Sequence, residues 1–313
     1  MKVFNINELA HNFNNSVLTI GSFDGIHLGH VKLMELTKES AEKLNSKSVV
    51  LTFHPHPMKA LKPERKIHLI TTFEKKVELI AKLGIDYLVY IPFSIEFAKM
   101  PPETFIREII YKKFKPLKII IGHDFGFGNA KAGDIALLKQ YSKEFCFEVY
   151  VVDPVKINDN IISSTLIRQL ILKGEISQVK EYLGRYYSVH GKVVKGSGRG
   201  KILGIPTANI IPEEELFPKD GVYASFVKIN GLEYKAITNI GSNPTFNDNS
   251  RRIESLIFNF DRDIYNNNIE VYFVERLRDE IKFDSVSALQ EKIKEDIKFT
   301  ECIFKSQNGA LFI

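Results

Sequence analysis

At 313 residues the chain exceeds one average domain, so two domains are expected, and 44% hydrophobic with 26% charged residues suits a globular protein rather than a disordered or membrane-embedded one. The net charge of +5 is compatible with polyanionic small substrates but shows no arginine-rich stripe, which argues against a nucleic-acid partner. Cys146 and Cys302 are the only cysteines, residues 1–8 hold no apolar run of signal-peptide length, and no apolar stretch could span a bilayer, so a reducing cytoplasm and no membrane partner are expected.

The first predicted strand covers residues 17–20. Gly21 and Gly25 then loosen the backbone, and a helical pattern opens near Gly29 and runs to about residue 45. A strand, a glycine-bearing turn and a helix N-terminus together offer free N–H groups and a positive dipole end, which suits phosphate. The spacing is neither a Walker A loop nor a G-x-G-x-x-G fingerprint. His27 and His30, three apart, share one face of the first turn, where both could donate to one phosphate. Two plainer readings compete: surface histidines at a helix start, and a metal half-site completed by His54 and His56. The two glycines and Asp24 around the pair favour phosphate.

Strand and helix then alternate. Residues 48–53 form a strand ending at His54-Pro55-His56-Pro57, where two prolines forbid helix. The capping box Thr71-Thr72-Phe73-Glu74 opens a helix that turns Phe73, Val77, Ile80 and Ala81 inward and stops at Gly84. A strand over 86–91, a helix over 103–114 opened by Pro102, a strand over 118–122, a loop over 123–133, a helix over 134–145 and a strand over 148–152 follow. This is an α/β pattern, a doubly wound parallel sheet whose ligands bind at strand C-terminal ends. The loops after Ile20, Phe53 and Ile121 should therefore converge on one crevice. Next comes Ile162-Ser-Ser-Thr-Leu-Ile-Arg168, with Ser163 or Ser164 as N-cap and Arg168 one turn later on the face of Ser164. Two helices end at Gly174 and Gly184, and the boundary falls there, giving domains 1–184 and 185–313.

Beyond it the runs 187–194, 222–229, 233–240, 253–260 and 269–276 are β-rich, and Asn230-Gly231 is a type I′ hairpin signal. Five or six antiparallel strands in so short a span suggest a small closed barrel. A helix over 287–298 presents Leu289, Ile293 and Ile297 toward it. Gly196, Gly198, Gly200 and Gly204, with Arg199 and Lys201 among them, form a basic glycine loop suited to polyphosphate. A flexible linker has the same composition, but the Ile-Pro-Thr-Ala-Asn209 that follows is not linker-like.

Taken together these motifs carry a resemblance. Gly21-Ser-Phe-Asp-Gly-Ile-His-Leu-Gly-His30 is similar to the G-x-F-D-G-x-H-x-G-H signature of the FMN adenylyltransferase module in prokaryotic bifunctional FAD synthetases. Residues 162–168 resemble that family's I-S-S-T-x-I-R motif, and residues 196–209 its riboflavin kinase signature G-x-G-R-G-x-x-L-G-x-P-T-A-N. Gly221-Val-Tyr-Ala224, Thr238-Asn-Ile-Gly-Ser-Asn-Pro-Thr-Phe246 and Ile253-Glu254 agree, in order along nearly the whole chain.

The resemblance implies a Rossmann-like adenylyltransferase domain and a riboflavin kinase barrel, with riboflavin, FMN and ATP as substrates. In the first domain it implies His27 and His30 as donors to the ATP phosphates. Gly21, Phe23, Asp24 and Asp124 would lie at the nucleotide, and Ser164, Thr165 and Arg168 on its β- and γ-phosphates. In the second, Gly196, Gly198, Arg199, Gly200, Lys201 and Gly204 would cover ATP, Thr207 and Asn209 would hold Mg²⁺ through hard oxygens, and Glu254 would be the general base. Gly126 stands where an Arg is frequent, leaving Lys131 to substitute, and Asn266 stands where a Gly is usual. The competing reading is an adenylyltransferase of another substrate class with a barrel that senses flavin.

Overall fold

The computed structural model describes residues 1–9, 12–64, 67–196, 200, 204–213, 216–242 and 251–306. By packing, the chain divides into two units, Met1–Ser164 and Thr165–Ile313.

The first unit is built on six parallel strands: β1 (Lys2–Asn5), β2 (Ser16–Ile20), β3 (Lys47–His54), β4 (Tyr87–Pro92), β5 (Pro116–Gly122) and β6 (Glu148–Val152). Their spatial order is β1-β4-β3-β2-β5-β6. The helices are α1 (Leu28–Lys43), α2 (Pro57–Leu61), α3 (Phe73–Lys82), α4 (Ile95–Ala98), α5 (Pro102–Thr104, continued by a π-helix over Phe105–Phe114) and α6 (Ile135–Phe145). Every residue of β2 is buried, which its uncharged Ser-Val-Leu-Thr-Ile sequence permits. Alternation splits its side chains between the two faces. Leu18 and Ile20 pack with Leu51, Ile119, Phe114 and Leu138 on the π-helix and α6 side. Val17 packs with Met34, Leu79 and Ile80 on the α1 and α3 side. The crossover from β2 leads to β3 and that from β5 leads to β6, in opposite directions along the sheet. Their C-terminal ends therefore border the topological switch point, where such sheets bind ligands.

Two local expectations differ from the structure, and two further elements appear in it. β1, unforeseen, adds an edge strand by pairing Lys2 to Asn5 with Tyr87 to Tyr90. Pro57 does not forbid helix but opens α2, because a first helical residue needs no N–H partner. On α3 the buried positions are Lys75, Lys76, Leu79 and Ile80, while Ala81 is exposed, so the inward stripe is rotated from the one expected. A short hairpin, β7 (Lys156–Ile157) with β8 (Asn160–Ile161), was also unforeseen.

The second unit carries α7 (Ser164–Lys173) from its second residue on, α8 (Ile176–Leu183), and a closed barrel. The barrel strands are β9 (Tyr187–Val194), β10 (Ala208–Pro212), β11 (Gly221–Ile229), β12 (Leu232–Ser242), β13 (Arg251–Ile257) and β14 (Asn268–Arg278), in the order β10-β13-β12-β11-β14-β9. β10, not foreseen, follows the expected glycine loop; by pairing with both β9 and β13 it closes the barrel. Inside, the hydroxyls of Ser225, Thr238 and Ser255 bond in series at 2.7 and 2.8 Å, satisfying polar atoms that would otherwise be costly to bury. The last helix, α9 (Val286–Ser306), runs well past residue 298, and its buried contact is made by Ile303 and Phe304 against Ala224, Phe226 and Val274. Leu289, Ile293 and Ile297 are only half-buried. Among the described residues no helix is long and apolar enough to cross a membrane.

Candidate active sites

In the first unit the turn from β2 into α1 is forced into an unusual path. Phe23, Gly25 and Ile26 have φ of 48°, 85° and 38°, and left-handed backbone at non-glycine residues requires external support. That support comes from the chain just before and within α3. Asp24 is 3% exposed and its Oδ1 accepts from Ile70 N at 2.9 Å and Thr71 N at 3.3 Å. Gly25 N donates to Thr71 Oγ1 at 3.2 Å, and Lys76 Nζ donates to Ser22 O at 2.6 Å. Gly21 N donates to Leu51 O at 3.1 Å, and Ser164 Oγ donates to Asp24 O at 2.8 Å.

So braced, the turn delivers the two histidines together. His27 is the N-cap residue of α1, extended at φ −80° and ψ 170°, and its side chain makes no cap bond. Its ring stacks on His30 with centroids 3.6 Å apart and planes 20° from parallel. Phe23 stands edge-on to His30 at 5.2 Å. Gly29 is required beside them, since a Cβ there would lie 3.1 Å from the His27 ring. Among the described residues no three of His27, His30, His54 and His56 gather ligand atoms around one point, and His56 Nδ1 instead accepts from Met58 N. The metal half-site finds no geometric support.

Asp124 lies exposed in the loop after β5, folded back so that its Oδ1 is 3.2 Å from where a Gly122 Cβ would be. The Lys131 stem runs 3.4–3.5 Å from the Cβ position of Gly126, so it occupies the space beside that glycine. Thr165, exposed, and Arg168, half-buried, lie on α7 in the second unit.

Sequence reasoning missed an aromatic row along the C-terminal ends of β3, β4 and β5. Phe53, Phe93 and Phe97 meet pairwise at 5.6–6.4 Å. Phe97 meets Phe105 at 6.2 Å, Phe105 meets Phe127 at 5.7 Å, and Phe125 stacks on Phe127 at 5.3 Å. The signal was available: phenylalanines close each of these strands or begin its loop.

In the second unit Glu254 sits on β13 between β10 and β12, paired in register with Asn209 on one side and Asn239 on the other. It alternates with inward-facing Ile253 and Ser255, both 0% exposed, so it lies on the outer face of the strand. Gly196 packs onto Asn209, where a Cβ would fall 2.2 Å from Nδ2, and a Gly200 Cβ would lie 3.5 Å from Thr207 Oγ1. The two described ends of the glycine loop thus rest on the Thr207 and Asn209 side chains. Gly204 turns with φ 72°, and Gly198, Arg199 and Lys201 lie outside the described residues. Burial pushes the Glu254 carboxyl above the ordinary range, opposed by Arg252 and reinforced by Glu280. Asn239 Nδ2 donates to Glu280 Oε1 at 2.9 Å, a second carboxylate the sequence reading had not singled out. Thr207 and Asn209 offer neutral hard oxygens beside an anionic one, a donor set that fits a divalent cation of the Mg²⁺ type.

Each unit therefore carries a glycine-bearing turn of its own, and among the described residues of the barrel Glu254, raised in pKa by burial, lies beside Asn209. A transferase that uses a nucleotide at two separate sites is the class these features define. A family model for FAD synthetase matches residues 9–166, and one for riboflavin kinase matches residues 183–304. Curated bifunctional riboflavin kinase/FMN adenylyltransferases are similar over most of their length. The protein of Buchnera aphidicola subsp. Schizaphis graminum is 35% identical, covering 93% of this chain and 95% of its own. That of Listeria monocytogenes is 35% identical with 93% of each chain covered, and that of Escherichia coli K12 is 30% identical with 90% of each. A crystal structure from Streptococcus pneumoniae, described as a macrolide-efflux protein, is 34% identical with a TM-score of 0.88, covering 96% of this chain and 98% of that one. The chain belongs to the bifunctional riboflavin kinase/FMN adenylyltransferase family. Both activities of that family take ATP with a divalent metal.

Proposed function

We propose that the second unit transfers the γ-phosphoryl group of ATP to riboflavin, and that the first unit then transfers AMP from a second ATP to the FMN so formed. In phosphorylation the ribityl 5′-hydroxyl is a poor nucleophile until its proton leaves. Glu254 takes that proton, the oxygen bonds to the γ-phosphorus, and ADP departs. The upward pKa shift from burial makes Glu254 a better acceptor than a solvated carboxylate. Thr207 and Asn209 would hold Mg²⁺, which would neutralise phosphate charge when bound. The glycine loop covers the phosphates, so catalysis is mostly positioning and charge neutralisation.

Adenylylation needs no base, because the FMN phosphate is already ionised at neutral pH. Its oxygen attacks the α-phosphorus and pyrophosphate leaves. His27 and His30 donate to the oxygens where charge builds, and preorganised donors of this kind are worth about 10²–10³ in rate each. Gly21, Phe23 and Asp24 act by holding the turn, Ser164 by tying it to the start of α7, and Thr165, Arg168 and Asp124 by contacting the nucleotide. The aromatic row offers flat apolar faces for the isoalloxazine ring. We place the functional boundary at residues 184/185 and the enzyme in the cytoplasm.

The observation that carries the division of labour is the register row Asn209–Glu254–Asn239 beneath Gly196, a proton acceptor one strand away from the phosphate ligands, whereas the carboxylate of the histidine turn, Asp24, is engaged by the Ile70 and Thr71 N–H groups. Product analysis with riboflavin, ATP and Mg²⁺ tests it. FMN should appear first and FAD after it. FAD from supplied FMN without any FMN from riboflavin would reduce the barrel to a flavin sensor.

A further inference from the structure

Lys76 is buried beneath the histidine turn, and nothing in the reaction above uses it. The residue is 5% exposed, unusual for a lysine, whose ammonium is costly to desolvate unless it is held. The holding contact is a 2.6 Å bond to Ser22 O, short enough for a charge-assisted donor. Ser22 lies between Gly21 and the left-handed Phe23, so its carbonyl direction governs where the Phe23 ring stands, and His30 leans on that ring at 5.2 Å. Among the described residues the charged and titratable groups coupled to Lys76 are Asp24 in the turn and His54 at the end of β3, which also faces Glu74; Lys75 and Glu78 share its helix. Lys75 and Glu78 are already paired at 3.0 Å, which leaves Asp24 as the anion that favours the Lys76 ammonium.

We propose that Lys76 is a positioning residue for adenylyl transfer, a buried ammonium that fixes the Ser22 carbonyl and thereby the Phe23 ring supporting His30. The proposal rests on the reading of this turn as the adenylylation site. Burial lowers the Lys76 pKa to about 8, against the pull of Asp24. The ammonium therefore predominates at pH 7 and is lost as pH rises through about 8 in the free enzyme. Polyanionic ATP at the turn favours the charged form, so nucleotide binding near that pH draws a proton onto Lys76.

The test uses the full chain. The kcat/KM for ATP is measured from pH 7 to 9.5 at saturating FMN, which reports groups of the free enzyme. Riboflavin phosphorylation on the same preparation is the control. The parent should lose FAD formation about tenfold per pH unit above the Lys76 pKa. Lys76→Arg, charged throughout the range, should hold a plateau. Lys76→Gln should be ~10–100-fold slower with no alkaline limb, as a misplaced donor predicts, while its kinase activity stays parental. In calorimetry at pH 8.5, ATP binding should take up protons in the parent and less in Lys76→Gln. An alkaline limb that persists unchanged in both variants would overturn the role. If Lys76→Gln also lost kinase activity through misfolding, the Lys76→Arg profile alone would decide. A parent chain that makes no FAD from FMN would sink the reading of the turn instead.

Discussion

Gly29→Ala sets two effects of one methyl group against each other. At the second residue of α1, alanine is the better helix former by up to ~1 kcal/mol. The added Cβ, however, lies 3.1 Å from both Cε1 and Nδ1 of His27, and comfortable carbon contacts begin near about 3.5 Å, so the ring must retreat by a few tenths of an ångström. It has nowhere free to go. His27 is 6% exposed and already stacked at 3.6 Å on His30. His30 rests on Phe23, which itself lies 2.9 Å from the Cβ position of Gly21. Overpacking of this kind costs about 1–3 kcal/mol, which offsets the helical gain and leaves the melting temperature within a few degrees of the parent. The displaced donors should slow adenylylation by ~10–100-fold, since misplacement by about 1 Å can cost 10². FAD formation from FMN and ATP, riboflavin phosphorylation and thermal unfolding are measured on one preparation. A Gly29→Ala protein that is more heat-stable and still makes FAD at the parental rate would refute the claim that these rings must sit where they do.

Glu254→Gln keeps shape but cannot accept the hydroxyl proton, so FMN formation should fall by ~10²–10⁴ while flavin binding persists; an unchanged rate makes Glu254 a bystander. Gly196→Ala drives a methyl to within 2.2 Å of Asn209 Nδ2 and should raise the requirement for ATP and divalent metal in phosphorylation only; parental metal dependence would mean that Asn209 ligates nothing. Arg278→Ala strands Asp296, whose side chain is 7% exposed and held by the Arg278 guanidinium at 2.8–3.2 Å. Removing one partner of a buried pair costs about 3–5 kcal/mol, so the urea midpoint should drop; no change would show that this pair does not secure α9.

The two architectures were legible because each rests on local chemistry: alternation of short apolar strands with helices in the first half, and runs of β-rich sequence broken by turn residues in the second. What escaped depends on contacts distant in sequence. β10 follows closely on a glycine run, and only closure against β9 and β13 makes it a strand. Lys76 looks like a solvent-facing helix residue, and only the turn packed on α3 shows why it is buried. The structural role of Asp24, whose Oδ1 accepts two backbone N–H groups 46 and 47 residues away, could not be read from its neighbours in sequence. The outward face of Glu254 follows from strand parity inside a closed barrel, which sequence alone does not orient. The end of α9 was misjudged because the apolar stripe continues through Ile303 and Phe304, beyond the last residue of the expected pattern.

The central claim is that one chain holds two chemically independent sites, and a pair of variants tests it most directly. His30→Ala and Glu254→Gln are each assayed for FMN formation from riboflavin and for FAD formation from supplied FMN, then mixed and given riboflavin, ATP and Mg²⁺. Losing one preorganised donor should slow FAD formation by ~10²–10³ in His30→Ala and leave phosphorylation near normal. Glu254→Gln should show the reverse. The mixture should convert riboflavin to FAD faster than either variant alone, as FMN made by one is used by the other. Either single substitution abolishing both reactions in a folded protein would contradict the two-site account.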